Sequence, residues 1–129
     1  MSTNALVPSR VFKTAWLAKA SRKTGISDQH LCAAIEQVMQ GQADNLGGGV
    51  FKKRLNDNRH RSIILARGDR YWMFKYLFAK QDRDNIDKAE LAAFRLLAKR
   101  YAGLTEVQVT ELTNQKLFME ICNGGETEI

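Results

Sequence analysis

No apolar run in this chain is long enough to span a bilayer. Its start, MSTNALVPSR, lacks the apolar region of a signal peptide. The expected setting is therefore the cytoplasm, with no membrane partner. Cysteines are scarce: Cys32 and Cys122 form no metal-ligand spacing, and Cys32 falls on an apolar helix face where a buried, reduced thiol is expected. There is no H-E-x-x-H, no paired Cys motif and no acidic cluster, so neither a metal site nor a cofactor is expected. The glycine-rich stretch LGGGVFKKRL, residues 46–55, lacks the Ser or Thr that follows the lysine of a phosphate-binding loop. Its glycines instead read as a flexible connector into a strand.

What is present is basic charge, concentrated in one place. The chain has 129 residues, 44% hydrophobic and 26% charged, with a net charge of +6. That is enough for one domain, residues 1–129, with a sizeable core. Residues 50–83 hold ten Lys or Arg against three Asp, which is +7; the rest holds ten basic and eleven acidic residues, which is −1. A localized basic field is the electrostatic footprint of a polyanion partner. A charge run is more often a solvated face, but here the cations are interleaved with strand apolars.

Capping patterns outline the elements. A short strand is expected over 10–14 and a helix over 15–24, ending at Gly25. Ser27 is a natural N-cap with Ile26 and Leu31 as staple; Leu31, Ala34, Ile35 and Val38 then repeat at helical spacing. Strands are expected over 50–55, 62–67 and 71–80, the last two joined by a tight turn at Arg67–Arg70 into an antiparallel hairpin. Asp87 with Glu90 forms a capping box before a helix whose buried stripe is Leu91, Phe94, Leu97, Ala98 and Tyr101. Thr105 with Gln108 opens a shorter helix over 106–114. Residues 117–121 suit a small strand or a docking tail, and 123–129 a frayed end. The fold class is α+β: two N-terminal helices, an antiparallel sheet and C-terminal helices, packed as one layer pair.

The strand period of two places Val50, Lys52 and Arg54 on one face, and Phe51, Lys53 and Leu55 on the other. Arg61 enters the next strand; Lys80 leaves the third, with Arg83 beyond; loop 56–60 adds Arg59 and His60. Such side chains on adjacent strands can converge on a phosphate. Crowded cations also depress one another's pKa, which suits a lysine base. His60 is a candidate general base, although a loop histidine is more often only solvated; His30 reads as a surface residue. Trp72, Phe74, Tyr76 and Phe78 alternate onto one face, which reads as core before it reads as a stacking platform.

The runs GGGVFKKR, RSIIL and FAKQDRDNIDKAELAAFRLLAK resemble the RelE-like branch of the RelE/ParE toxin superfamily of bacterial type II toxin–antitoxin systems. The most specific part is FAK-x-x-R-x-NI-x-x-x-EL-x-x-F. The resemblance covers residues 10–104, leaving 105–129 as an extension suited to partner binding. It implies a RelE-like domain acting as an mRNA interferase: a metal-independent endoribonuclease (a hydrolase in the broad sense) that cuts mRNA on the ribosome through 2′-OH attack on phosphate. Lys52, Arg54, Arg61 and Lys80 match the catalytic positions, with Lys53, Arg59, His60 and Arg83 as RNA-binding neighbours. Arg54 and Arg61 are expected to stabilize the transition state, and Lys52 or Lys80 to act as base or acid. The partners implied are a cognate antitoxin, the ribosome and mRNA, with DNA contacted only through the antitoxin complex. Two departures stand out: loop 56–60 is short, with Asn56, Asn58 and His60, and Leu77 stands where glycine is common. The alternative is a ParE-like or degenerate module that binds a protein target and cuts nothing.

Overall fold

The computed structural model of the chain describes residues 10–67 and 71–122. Gly68, Asp69 and Arg70 of the expected tight turn, and the segment 123–129 read as frayed, lie outside the described residues. In chain order the elements are β1 (Arg10–Thr14), α1 (Ala15–Thr24), α2 (Asp28–Met39), β2 (Asp44–Gly47), β3 (Val50–Leu55), β4 (His60–Arg67), β5 (Tyr71–Ala79), α3 (Lys88–Ala102), α4 (Glu106–Asn114) and β6 (Phe118–Ile121). The class is α+β, as expected.

Local chemistry accounts for the helix starts. Thr14 accepts a hydrogen bond from Leu17 N (3.1 Å) at the start of α1, and Gly25 closes that helix in the left-handed region at φ 75°. Reciprocal capping boxes open the other three: Ser27 with His30, Asp87 with Glu90, and Thr105 with Gln108. His30 is exposed, and its ring accepts the Ser27 N–H (3.2 Å).

The strands form one sheet in the order β2-β3-β4-β5-β1-β6. Four of its pairings are antiparallel, but β1 lies parallel to β5. The long connection between those strands, through α1, α2 and β2 to β4, permits this arrangement. The sheet is covered on both faces, so there are three layers and not the expected pair. Val11, Ile64, Trp72 and Phe74 pack beneath Leu17, Leu31, Ile35 and Val38 of α1 and α2. Phe12, Val50, Ile63 and Leu65 pack on the opposite side with Ala98 of α3 and Val109 of α4.

Three further expectations are corrected. The glycines are not a flexible connector: Gly47, Gly48 and Gly49 have φ of 87°, 64° and 84° and turn β2 back into β3. Arg95 of α3 donates to the carbonyls of Leu46 and Gly47, which holds this turn against the helix. A Cβ on Gly49 would lie 3.1 Å from the Ala66 carbonyl oxygen, a backbone atom that cannot swing aside. Gly49→Ala is therefore expected to cost about 1–3 kcal/mol; a thermal midpoint equal to wild type would show that the turn relaxes freely.

The second correction concerns the β5 aromatics. The β4–β5 register shifts between Ile63, opposite Tyr76, and Ile64, opposite Phe74, leaving Lys75 as the extra residue of a bulge. Side-chain alternation resets there. Trp72 and Phe74 face α1 and α2, whereas Tyr76 and Phe78 face α3.

The third concerns the cysteines. They are not reduced: Cys32 of α2 is bonded to Cys122, with the Cα atoms 5.4 Å apart. The pairing of β6 with β1, Val11 opposite Ile121, carries the following residue to α2.

Candidate nucleic-acid interface

The β3–β4–β5 register builds the basic face. Arg54 lies directly opposite Arg61, and Arg61 opposite Phe78; Lys52 lies opposite Ile63. Directly opposed residues share a face, so Lys52, Arg54 and Arg61 all point to the α3 side of the sheet. The β5 bulge turns Tyr76 and Phe78 to that same side; Lys80 lies just past the end of β5. Lys80 is exposed, and its backbone N–H donates to Arg59 O (2.9 Å).

These cations differ in their freedom. Arg54 is exposed and makes no hydrogen bond or ion pair among the described residues. Arg61 is only 7% exposed. Its Nη1 donates to the carbonyls of Asn58 (3.0 Å) and His60 (3.2 Å). Its Nε and Nη2 take no protein partner, yet they are not among the buried unpartnered nitrogens, which are Arg67 Nη1 and Trp72 Nε1 among the described residues. Arg61 is thus anchored by one arm and keeps donors on the other. Loop 56–59 supplies the anchor. Asn56, Asp57 and Asn58 all have positive φ, at 55°, 55° and 70°. Asn and Asp tolerate that region better than most residues.

Lys52 is mostly buried, with Nζ 3.6 Å from Asp44 Oδ2 across the β2–β3 pair. Lys53 points to the other face, where Nζ donates to Gln42 O (3.1 Å). Burial holds Lys53 below the usual lysine range, and the Arg54 charge adds to the effect.

Asn56 orients two loop residues together. Arg59 donates to its backbone O (3.2 Å) and to its Oδ1 (3.1 Å). This leaves the Asn56 amide nitrogen to donate to His60 Nδ1 (3.1 Å). Neutral His60 then carries its proton on Nε2. In this tautomer it offers a phosphate a donor and not the lone pair that a general base needs. His60, Lys80 and Arg59 line one recess beside Asp57, Asn58 and Gln81.

Arg83 is committed elsewhere. Its two Nη atoms pair with the Glu90 carboxylate, Nε donates to Asn85 O (3.0 Å), and the guanidinium lies 5.5 Å from the Phe78 ring centroid. Arg83 in turn holds the Glu90 carboxyl below its usual range. Beside this pair runs a second groove that the sequence reading missed. It is lined by Trp16, Lys19 and Lys23 of α1 together with His60, Phe78 and Asp82. The spacing of Trp16, Lys19, Ala20 and Lys23 along one helical face was the available signal.

A cross-strand arginine pair lies near a lysine-bearing recess, an arrangement that can hold an anion through charge-assisted hydrogen bonds. The family model described as RelE toxin of RelE / RelB toxin-antitoxin system matches residues 9–121. The chain is a member of the RelE toxin family. The match continues through α4 and β6, past residue 104. No curated protein and no solved structure matches the chain. As a RelE-family protein it is the toxin half of a toxin–antitoxin pair, and a cognate antitoxin is its partner. No helix among the described residues is long and apolar enough to cross a membrane.

Proposed function

We propose that this RelE-family toxin arrests translation by cutting mRNA on the ribosome, in the cytoplasm, and that Arg54 and Arg61 carry the chemistry with Lys52 and Lys80. The cross-strand pairing of Arg54 with Arg61 supports this reading most directly. The ribose 2′-oxygen attacks the adjacent phosphorus, its proton leaves to a base, and the bond to the 5′-oxygen breaks as that oxygen is protonated. The products are a 2′,3′-cyclic phosphate and a 5′-hydroxyl. Negative charge grows on the non-bridging oxygens, where Arg54 and the free donors of Arg61 stabilize it. Lys52 and Lys80 are the proton-transfer groups, and His60 Nε2–H donates to phosphate. Ribosomal alignment of the nucleophile contributes on the order of 7–11 kcal/mol.

A programmed ribosome carrying mRNA with one 2′-deoxy sugar at the cut site tests this. Cleavage at that bond is expected to stop, because the nucleophile is gone, while a ribose control is cut. Cleavage of the deoxy substrate would refute the mechanism. Growth arrest without cleavage of either substrate would favour the ParE-like alternative, binding of a protein target.

A further inference from the structure

We propose that the groove between α1 and the far half of β5 is a nucleotide subsite, in which a base stacks on Trp16 while Lys19 and Lys23 hold its phosphate. The proposal rests on the RNA reading above and extends it to residues outside the basic strands. β1 accompanies β5 only as far as the pair Lys13–Phe74. Past that point α1 takes the place of a strand neighbour, and the groove follows β5 from Tyr76 to Ala79. Trp16 is 49% exposed. Its inner face lies on the Tyr76 ring, with centroids 5.2 Å apart and planes at 30°. Tyr76 is itself braced by Phe78 and by Phe94 of α3. The indole is therefore held in place with its exposed part toward solvent, as a sequence-tolerant stacking platform requires.

Charge selects the occupant. Lys19 and Lys23 lie one helical turn apart on the same groove wall, and neither makes a hydrogen bond or ion pair among the described residues. Against them stands Asp82; Arg83, which also lines the groove, is neutralized by Glu90. An aromatic platform flanked by free lysines fits a nucleotide better than an acidic peptide, which would leave the indole without a planar partner. The groove also adjoins the Lys80 recess, since His60 and Ala79 line both. A strand of RNA with its scissile phosphate near Lys80 therefore reaches Trp16 with a neighbouring nucleotide.

The test uses the full chain on programmed ribosomes whose mRNA carries a 2′-deoxy sugar at the cut site and 5-iodouridine at each flanking nucleotide in turn. Irradiation followed by peptide mapping is expected to place one cross-link on Trp16. Trp16→Ala is expected to lower the rate of cleavage of the ribose substrate at limiting ribosome concentration by about 5- to 150-fold, the range that base–aromatic stacking supplies. Trp16→Phe is expected to recover most of that loss, and Lys19→Ala with Lys23→Ala to weaken the salt dependence. Cross-links that never fall on α1, or a Trp16→Ala variant that cuts at the wild-type rate, would overturn the subsite. Loss of antitoxin capture by Trp16→Ala with unchanged cleavage would assign the groove to the protein partner and overturn it equally. A Trp16 cross-link without any cleavage of ribose mRNA would leave the subsite standing and remove the proposed reaction.

Discussion

Arg61→Ala is expected to abolish growth arrest and, in the same variant, to lower the thermal midpoint. An exposed charge at a strand end could be removed at a cost of about 1 kcal/mol or less, but Arg61 is not exposed. Arg61 is 7% exposed, and its Nη1 joins the carbonyls of Asn58 and His60. Removing it leaves those acceptors short of a partner, at about 1–3 kcal/mol. It also releases a loop whose three positive-φ residues are held partly by that contact. In catalysis, loss of one positioned donor to the phosphorane typically costs about 10²–10³ in rate. Arg54→Ala separates the two effects. Arg54 is exposed and unpaired among the described residues. Its loss is expected to reduce cleavage comparably while leaving stability within about 0.5 kcal/mol of wild type. Thermal unfolding, growth curves and cleavage on programmed ribosomes read both variants. Growth arrest that survives Arg61→Ala at wild-type strength would mean that the roles of these residues are misassigned.

Elements of this fold were legible in the sequence where the signal was local. Asp87 with Glu90, and Thr105 with Gln108, placed α3 and α4 because a capping box is a contact between near neighbours. The two-residue period placed Lys52 and Arg54 together for the same reason. Contacts set by other strands were not legible. The bulge at Lys75 depends on how β5 lies against β4, and nothing in YWMFKYLFAK announces it. Without it Tyr76 and Phe78 would face α1 and α2 with Phe74. Glu90 showed its capping role in the sequence but not its capture of Arg83, since the turn between them had no pattern to read. β2 went unseen because Asp44-Asn45-Leu46-Gly47 has no apolar alternation. It is held by the glycine turn and by Arg95, a residue 48 positions beyond Gly47.

Reduction of the Cys32–Cys122 bridge is expected to cost this fold several kcal/mol of stability. The bridge joins residues 90 positions apart. Chain-entropy arguments give a loop of that length about 4–5 kcal/mol, acting through the unfolded state. For a domain of this size the loss corresponds to a fall in midpoint of about 15–18 °C. The folded state has its own reason to depend on the bond. β6 is a four-residue edge strand whose sheet partner is β1. The disulfide fastens the residue after it to α2, across the face that Leu31 and Ile35 occupy. With the bond open, β6 is expected to fray first, and Ala15 N loses its hydrogen bond to Leu117 O (3.2 Å) as that segment lifts. Thermal unfolding with and without dithiothreitol, on wild type and on Cys32→Ser with Cys122→Ser, measures the effect. Wild type should fall to the midpoint of the double variant under reduction, and the double variant should not respond to the reductant. Amide exchange should rise in β6 and at the start of α1 before it rises in β4. A wild-type midpoint that ignores dithiothreitol, with the thiols shown to be free, would mean that the packing of Ile121 and Phe118 alone holds the strand in place.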